Sequence, residues 1–287
     1  MKSYKFQKIL SSGLVQIVVI ALCLLWTLPS FGVFVSSFRL PDQIALSGWW
    51  KAFETPLEFS QWTLENYAEV LTSGGLANSF LNSLIVTIPS TLLPIMISAI
   101  AAYAFAWIKF PGREILFAIV VGLIVMPIQM ALIPVLRMYN QLGWTGTFMG
   151  IWLAHTGFAI PMAVYLLYNF ISQIPRDLIE AATIDGATHY QIFSGLVLRL
   201  SLPAIASFAV FEFLWIWNDL LVALVFLGTR AELAVITARL TDLIGTRGEA
   251  WYLLTAGAFI SMLAPLVVFF GLQRFFVRGM LAGAVKE

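Results

Sequence analysis

From Leu14 to Val35 the chain reads "LVQIVVIALCLLWTLPSFGVFV", an apolar run without a single charged side chain. About 20 such residues cross the ~30 Å hydrocarbon core of a bilayer as a helix, in which every backbone polar group is satisfied away from water. Five further runs follow, near Leu81 to Trp107, Ile115 to Tyr139, Phe148 to Ile171, Leu202 to Leu227 and Tyr252 to Phe275. None shows the strict alternation of a transmembrane strand. The sequence therefore predicts an all-α, polytopic membrane protein with six transmembrane helices. Composition points the same way: 60% of residues are hydrophobic and 11% charged, against about 45–50% and about 25% in soluble domains. A single soluble core cannot absorb so many membrane-length runs. The first run is longer than the usual signal-peptide core of about 7–15 residues and no small-x-small cleavage pattern closes it, so it is read as a retained span.

Orientation follows from counting basic residues on the two sides of this six-span arrangement. Lys2, Lys5, Lys8, Lys109, Arg113, Arg176, Arg199, Arg274, Arg278 and Lys286 fall on one side, and Arg39, Lys51, Arg137, Arg230, Arg239 and Arg247 on the other. The richer side is expected to be cytoplasmic, with both termini inside. Residues 172–201 then form a cytoplasmic loop, whereas residues 36–78 and 228–251 lie outside. The stretch "SGWWKAFETPLEFSQWTLENY" suits an interfacial, partly helical lobe, serving either as an aromatic belt or as a docking surface. A net charge of +1 gives no electrostatic case for nucleic acid. Cys23 alone cannot form an internal disulfide or a thiolate cluster. No internal repeat or low-complexity segment interrupts the chain, so residues 1–287 are read as one transmembrane domain.

Polar residues inside the apolar runs are few. The fifth run carries Glu212, Asn218 and Asp219, and an ionised carboxylate at the membrane centre costs at least about 2.5 kcal/mol. Helical spacing puts Glu212, Trp215 and Asp219 on roughly one face, expected to point into the bundle. With Asn218, these residues either line a hydrophilic path, tryptophan offering an apolar face to a sugar ring, or hold helices together. Gln129 and His155 lie near Pro127, Pro134 and Pro161; they belong to a moving pore or satisfy carbonyls freed by the prolines. Gly146 and Gly150 make one small-xxx-small match for helix packing. No phosphate loop, zinc-protease or nucleophile-elbow motif is present, and two histidines leave little for metal or acid–base catalysis.

The segment "IPRDLIEAATIDGATHYQIF" reads as helix, break, helix. Pro175 can open the first helix, with Asp177 and Glu180 in its early turns, and Gly186 can take a left-handed conformation at its end. A second short helix carries Tyr190, Ile192 and Phe193. Ala181 and Ala182 are small, and Ile179, Ile184, Tyr190 and Phe193 are apolar on a water-facing segment. Such a surface packs on its own membrane helices or takes a partner.

"EAATIDGA" followed by "LRLSLP" resembles the EAA loop of ABC importer permeases. "LENYAEVL", "NSFLNSLIVT", "WNDLLVALVF" and "LQRFFVRGMLAGAVKE" are similar to the carbohydrate branch of that family, in the manner of the second permease of maltose-type transporters. The external lobe resembles the branch for α-glucosides and the osmolyte glucosylglycerol; Glu287 replaces a glycine common there. The resemblance implies a permease of the bacterial cytoplasmic membrane without catalysis of its own. Its implied partners are a second homologous permease, two ATPase subunits that bind ATP and Mg, and an extracytoplasmic sugar-binding protein. By the same resemblance Glu180, Ala181, Ala182, Asp185, Gly186 and Tyr190 form the ATPase-coupling surface; Gln129, Trp215, Asn218 and Asp219 are substrate-path candidates on the strength of their own polar and aromatic character within the spans. The loop at 228–251 corresponds to the region reaching into the binding protein, and the tail to one approaching the ATPases. An ion-coupled secondary transporter would need a coupling-ion site and often inverted repeats. A membrane enzyme would need clustered acid, base or metal residues at one depth.

Overall fold

The computed structural model describes residues 2–72, 74–244 and 250–284, with side chains over 13–72, 74–244 and 250–275. The helices are, in order, α1 (Lys2–Ser37), α2 (Pro41–Leu46), α3 (Glu65–Leu71), α4 (Leu76–Trp107), α5 (Arg113–Gly122), α6 (Ile128–Leu142), α7 (Phe148–Ile171), α8 (Arg176–Ile184), α9 (His189–Ile192), α10 (Leu198–Trp217), α11 (Leu221–Phe226), α12 (Ile236–Ile244) and α13 (Trp251–Ala284). Among the described residues five helical stretches are long and apolar enough to cross a membrane: Gly13–Ser37, Leu76–Trp107, Phe148–Ile171, His189–Trp217 and Trp251–Phe275. The first, second, fourth and sixth expected spans are thus present, and the fourth has the bounds read from the sequence.

The third and fifth differ. The run expected from Ile115 to Tyr139 is a broken pair, Arg113–Val125 and Ile128–Leu142, bent by 104°. Proline excludes its predecessor from the helical region; Met126 accordingly takes φ −72°, ψ 120°, and Pro127 is itself extended at φ −63°, ψ 128°. Two consecutive extended residues end the helical hydrogen-bond ladder, where the sequence reading allowed only a bend. The fifth span starts earlier than Leu202 and ends at Trp217, before a break at Asn218 to Leu220 and the short α11. A π-helical turn, Phe193–Val197, joins α9 to α10, so that His189–Trp217 runs on as one 29-residue stretch.

Two compact units divide the chain, one within Met1–Ala77 and Leu240–Met262, the other within Asn78–Arg239 and Leu263–Glu287. In the first, Phe34 of α1 packs on Phe259 of α13 with ring centres 4.9 Å apart. The lobe is held to the end of α1 by buried polar contacts. Asn66 donates to the carbonyls of Ser37 and Arg39 at 3.0 and 2.8 Å, and the Thr63 amide donates to Phe38 at 2.6 Å. Arg39, buried, donates to the Gly48 carbonyl at 3.0 Å and the Ser47 hydroxyl at 2.8 Å. Tyr67 and Ser37 share a hydroxyl hydrogen bond of 2.6 Å; burial raises the Tyr67 phenol above its ordinary value, and that bond pulls it partly back.

In the second unit α7 is the central helix. Ala154, Ala159 and Ala163 lie on its buried face, and such small residues let neighbouring backbones come close. Larger buried side chains at either end, Ile151 toward α11 and Leu167 and Ile171 toward the α8–α9 segment, fill two separate cores. Asn82 of α4 donates to the carbonyls of Glu232 and Ala234 at 2.8 and 3.1 Å. The next residue, Ser83, accepts the amide of Ile236 at 2.7 Å.

Replacing Asn66 by alanine removes two buried donors and leaves two carbonyls unmatched. That change is expected to destabilise the lobe by about 1–3 kcal/mol, read as faster proteolysis between residues 40 and 64 while the membrane helices stay protected.

Candidate functional site

The segment between α7 and α10 is a helical elbow with a defined inner and outer side. Pro175 precedes α8 with extended backbone, and Asp185 closes it. At Gly186 the chain turns with φ +81°. A Cβ there would meet nothing within 4 Å, so glycine is required by the backbone angle rather than by space. The amides of Gly186 and Ala187 donate back to Thr183 and Ala182, each at 3.0 Å, which satisfies carbonyls that a helix end otherwise leaves bare. The next helix opens with a reciprocal cap. Thr188 Oγ1 accepts the Gln191 amide at 3.3 Å, and Gln191 Oε1 accepts the Thr188 amide at 2.8 Å. The expected helix, break, helix is present; the T-x-x-Q signal of this cap stands in the sequence and was missed.

The inner side is a foot. Ile179, Ile192 and Val197 are buried with Ala102 and Tyr103 of α4 and Leu167 and Ile171 of α7. The Tyr103 hydroxyl lies 2.9 Å from His189 Nδ1, and Trp107 Nε1 donates to the Ile171 carbonyl at 3.2 Å. Of the four apolar residues expected on the surface, Ile179 is therefore buried, because it faces α4 and α7. Phe193 is half-buried against Tyr103, with ring centres 5.4 Å apart. The outer side keeps Glu180, Ala181, Asp185 and Gly186 exposed, with Ala182 half-buried. Ile184 and Tyr190 stand out from it at 86% and 77% exposure.

The polar residues of the fifth run do not share one helical face, because the helix ends at Trp217. Asp219 instead caps α11: its Oδ1 accepts the Val222 amide at 3.2 Å and its Oδ2 the Ala223 amide at 2.9 Å. Its own carbonyl accepts the Thr237 hydroxyl at 2.8 Å. His155 of α7 is fully buried beside this cap, with Nε2 3.8 Å from Asp219 Oδ2 and its ring edge-on to Trp215 at 5.4 Å. Trp215 is half-buried and Asn218 exposed, the latter donating to the Leu214 carbonyl at 2.7 Å. Glu212 is buried on α10. Gln129 is exposed at the start of α6 and takes no part in the cap.

Gly146 and Gly150 do not form a helix-packing pair. Gly146 lies before α7 with φ +71°, its amide donating to Phe226 at 2.7 Å and its carbonyl accepting Arg230 at 2.5 Å. Gly150 is needed because a Cβ would collide with the Trp144 carbonyl.

Comparison with known proteins matches this fold. The model of the family described as binding-protein-dependent transport system inner membrane component matches residues 79–282. The chain is 58% identical to the osmoprotective compounds uptake permease protein GgtD of Synechocystis sp., covering 95% of this chain and 92% of that one. It is 42% identical to the alpha-glucoside transport system permease protein AglG of Rhizobium meliloti, covering 95% and 96%. Among solved structures, it is similar to a chain of a bacterial ABC transporter involved in import of the acidic polysaccharide alginate. That match has a TM-score of 0.73 at 19% identity and covers 92% of this chain and 95% of the other.

If Asp219 is the cap of α11, Asp219→Ala should lower stability by about 1 kcal/mol. Asp219→Asn, which keeps an acceptor oxygen, should lose clearly less; thermal unfolding of the two purified variants against the parent checks the order.

Proposed function

Because the chain belongs to the family of binding-protein-dependent transport system inner membrane components, we propose that it forms half of the translocation path of an ATP-driven importer. The cargo class is sugars or sugar-derived osmolytes, a reading supported by relatives named for osmoprotective compounds and for alpha-glucosides. The remaining parts are a second, homologous permease, two ATPase subunits that bind ATP and Mg, and an extracytoplasmic sugar-binding protein. This chain supplies no catalytic residue. The count of basic residues on the two sides supports a cytoplasmic position for both termini and the elbow.

The observation that carries the reading is the two-sided elbow. Ile184 and Tyr190 are exposed apolar side chains on either side of the Gly186 turn, and the exposed Ala181 adds little bulk to the outer side. A cleft in each ATPase is the occupant that suits such a surface. On the inner side, the foot is packed on α4 and α7. The stretch from His189 to Trp217 extends about 40 Å at 1.5 Å per residue, so a displaced elbow moves the end of the fifth span as well. When the ATPases close on ATP, the elbow is carried with them and the spans rock between inward-facing and outward-facing states. The energy comes from the different affinity of the ATPase pair for the elbow in its two positions. Trp215 and Asn218 stand at the far end of that lever, where aromatic face and amide suit a hydroxylated cargo. Asp219 contributes there through the cap that ends the lever.

Ile184→Asp should weaken retention of the ATPase by about tenfold or more, as loss of a central apolar anchor does. Gly186→Pro, which cannot adopt φ +81° and lacks the amide, should leave the protein in the membrane but abolish binding-protein-stimulated ATP hydrolysis and uptake in proteoliposomes. Normal stimulation and uptake in both variants would remove the lever. Uptake that persists without any ATPase subunit would favour an ion-coupled secondary transporter instead. Stimulation of the reconstituted complex against a panel of sugars and osmolytes identifies the cargo.

A further inference from the structure

The lobe after α1 carries an apolar surface left uncovered among the described residues of its own unit. Trp50 and Phe53 are 60% and 50% exposed, and Leu46, Leu57 and Phe59 are each above 80%. A surface of this kind facing bulk water is rare without an occupant.

Its depth is set by contacts with α1. Phe53 stacks on Phe31 with ring centres 6.1 Å apart, and Trp49 meets the same ring edge-on at 5.8 Å. Trp49 also lies over Gly32, where a Cβ would come within 2.7 Å of its indole nitrogen. Phe31 is six residues before the end of α1 at Ser37, roughly 9 Å back along the helix axis at 1.5 Å per residue. The apolar stretch Gly13–Ser37 has 25 residues, about 37 Å of helix against about 30 Å of hydrocarbon. With the excess shared between the two ends, Phe31 falls about 5 Å inside the edge of the hydrocarbon, and the lobe folds back to that level instead of rising into solvent.

We propose that this lobe is an interfacial anchor, with Trp50, Phe53, Leu57 and Phe59 seated among the headgroups and upper acyl chains of the adjoining leaflet. The inference rests on α1 crossing the membrane and not on the transport reading. Tryptophan suits that zone because its ring is apolar and its N–H is polar. The exposed charged groups of the lobe argue against a protein cover. Lys51 and Glu54 pair at 2.6 Å while staying exposed, and Asp42 and Glu58 are exposed too; the centre of a protein interface is depleted of such residues.

The test uses the full chain in its assembled complex, reconstituted in phosphatidylcholine–phosphatidylglycerol nanodiscs. Cys23→Ser removes the native thiol, and Leu57→Cys or Phe59→Cys then carries a nitroxide label on a side chain exposed enough to tolerate it. Collisions with oxygen should exceed those with a water-soluble nickel chelate, and a bimane label at Leu57→Cys should be quenched by phospholipids brominated near the headgroup. Nickel collisions above oxygen would place the lobe in water and overturn the proposal. Low values for both, with an immobilised spectrum, would mean that a protein partner covers the surface, which overturns it equally.

Discussion

The rest of the structure depends on satisfying backbone groups wherever a helix stops among packed neighbours. Water cannot do it there, so protein groups must. At the α10–α11 break two N–H groups meet the Asp219 carboxylate. Before α7, Thr147 Oγ1 accepts the Gly150 amide at 3.1 Å, and the Phe226 carbonyl receives Gly146. Asn82 and Ser83 meet the loop before α12. Side chains supply most of these contacts and the Gly146–Phe226 pair is backbone to backbone, so the start of α7 is tied to the end of α11 and the start of α4 to the loop before α12.

At the opposite end of α7 the same helix builds the foot, by apolar packing rather than by caps. The elbow has its helix ends satisfied locally, through Gly186, Ala187 and the Thr188–Gln191 pair, and so borrows no backbone hydrogen bond from the foot for its turns. What it takes from the membrane helices is the burial of Ile179, Ile192 and Val197, at about 1.5–3 kcal/mol for each fully buried aliphatic side chain. A shape formed locally and a base formed by packing suit the coupling role proposed for this segment, which asks for force to be passed on without a change of shape.

Legibility in the sequence followed the range of the interactions. The elbow was readable because its signals are local: a proline before it, acidic residues in the first helix, a glycine after Asp185. The span Phe148–Ile171 was readable because no break interrupts it. The sharp turn at Met126 and Pro127 was underread, since whether a proline bends or severs a helix depends on what stands ready on either side. The break after Trp217 was hidden because Asp219 looked like a charge buried in a helix, when it caps the next one. Tyr103 gave no signal at all: its partner is His189, 86 positions away.

These two ends limit how the molecule can move. Close-packed regions switch between discrete arrangements more readily than they stretch. The elbow tip cannot be pulled sideways alone, because its turns are closed by their own hydrogen bonds and its base is interlocked with α4 and α7. Nor can the far end of the fifth span tilt alone, because Asp219 binds it to α11. A pull on Ile184 and Tyr190 is therefore either resisted or passed on to the helices as a body. Compliant points in this unit include the break at Met126–Pro127, the π-turn at Phe193–Val197 and the prolines inside α4, α6, α7 and α10, each of which removes a rung of the helical ladder. In the proposed mechanism, rocking of the spans should concentrate its backbone changes at such points.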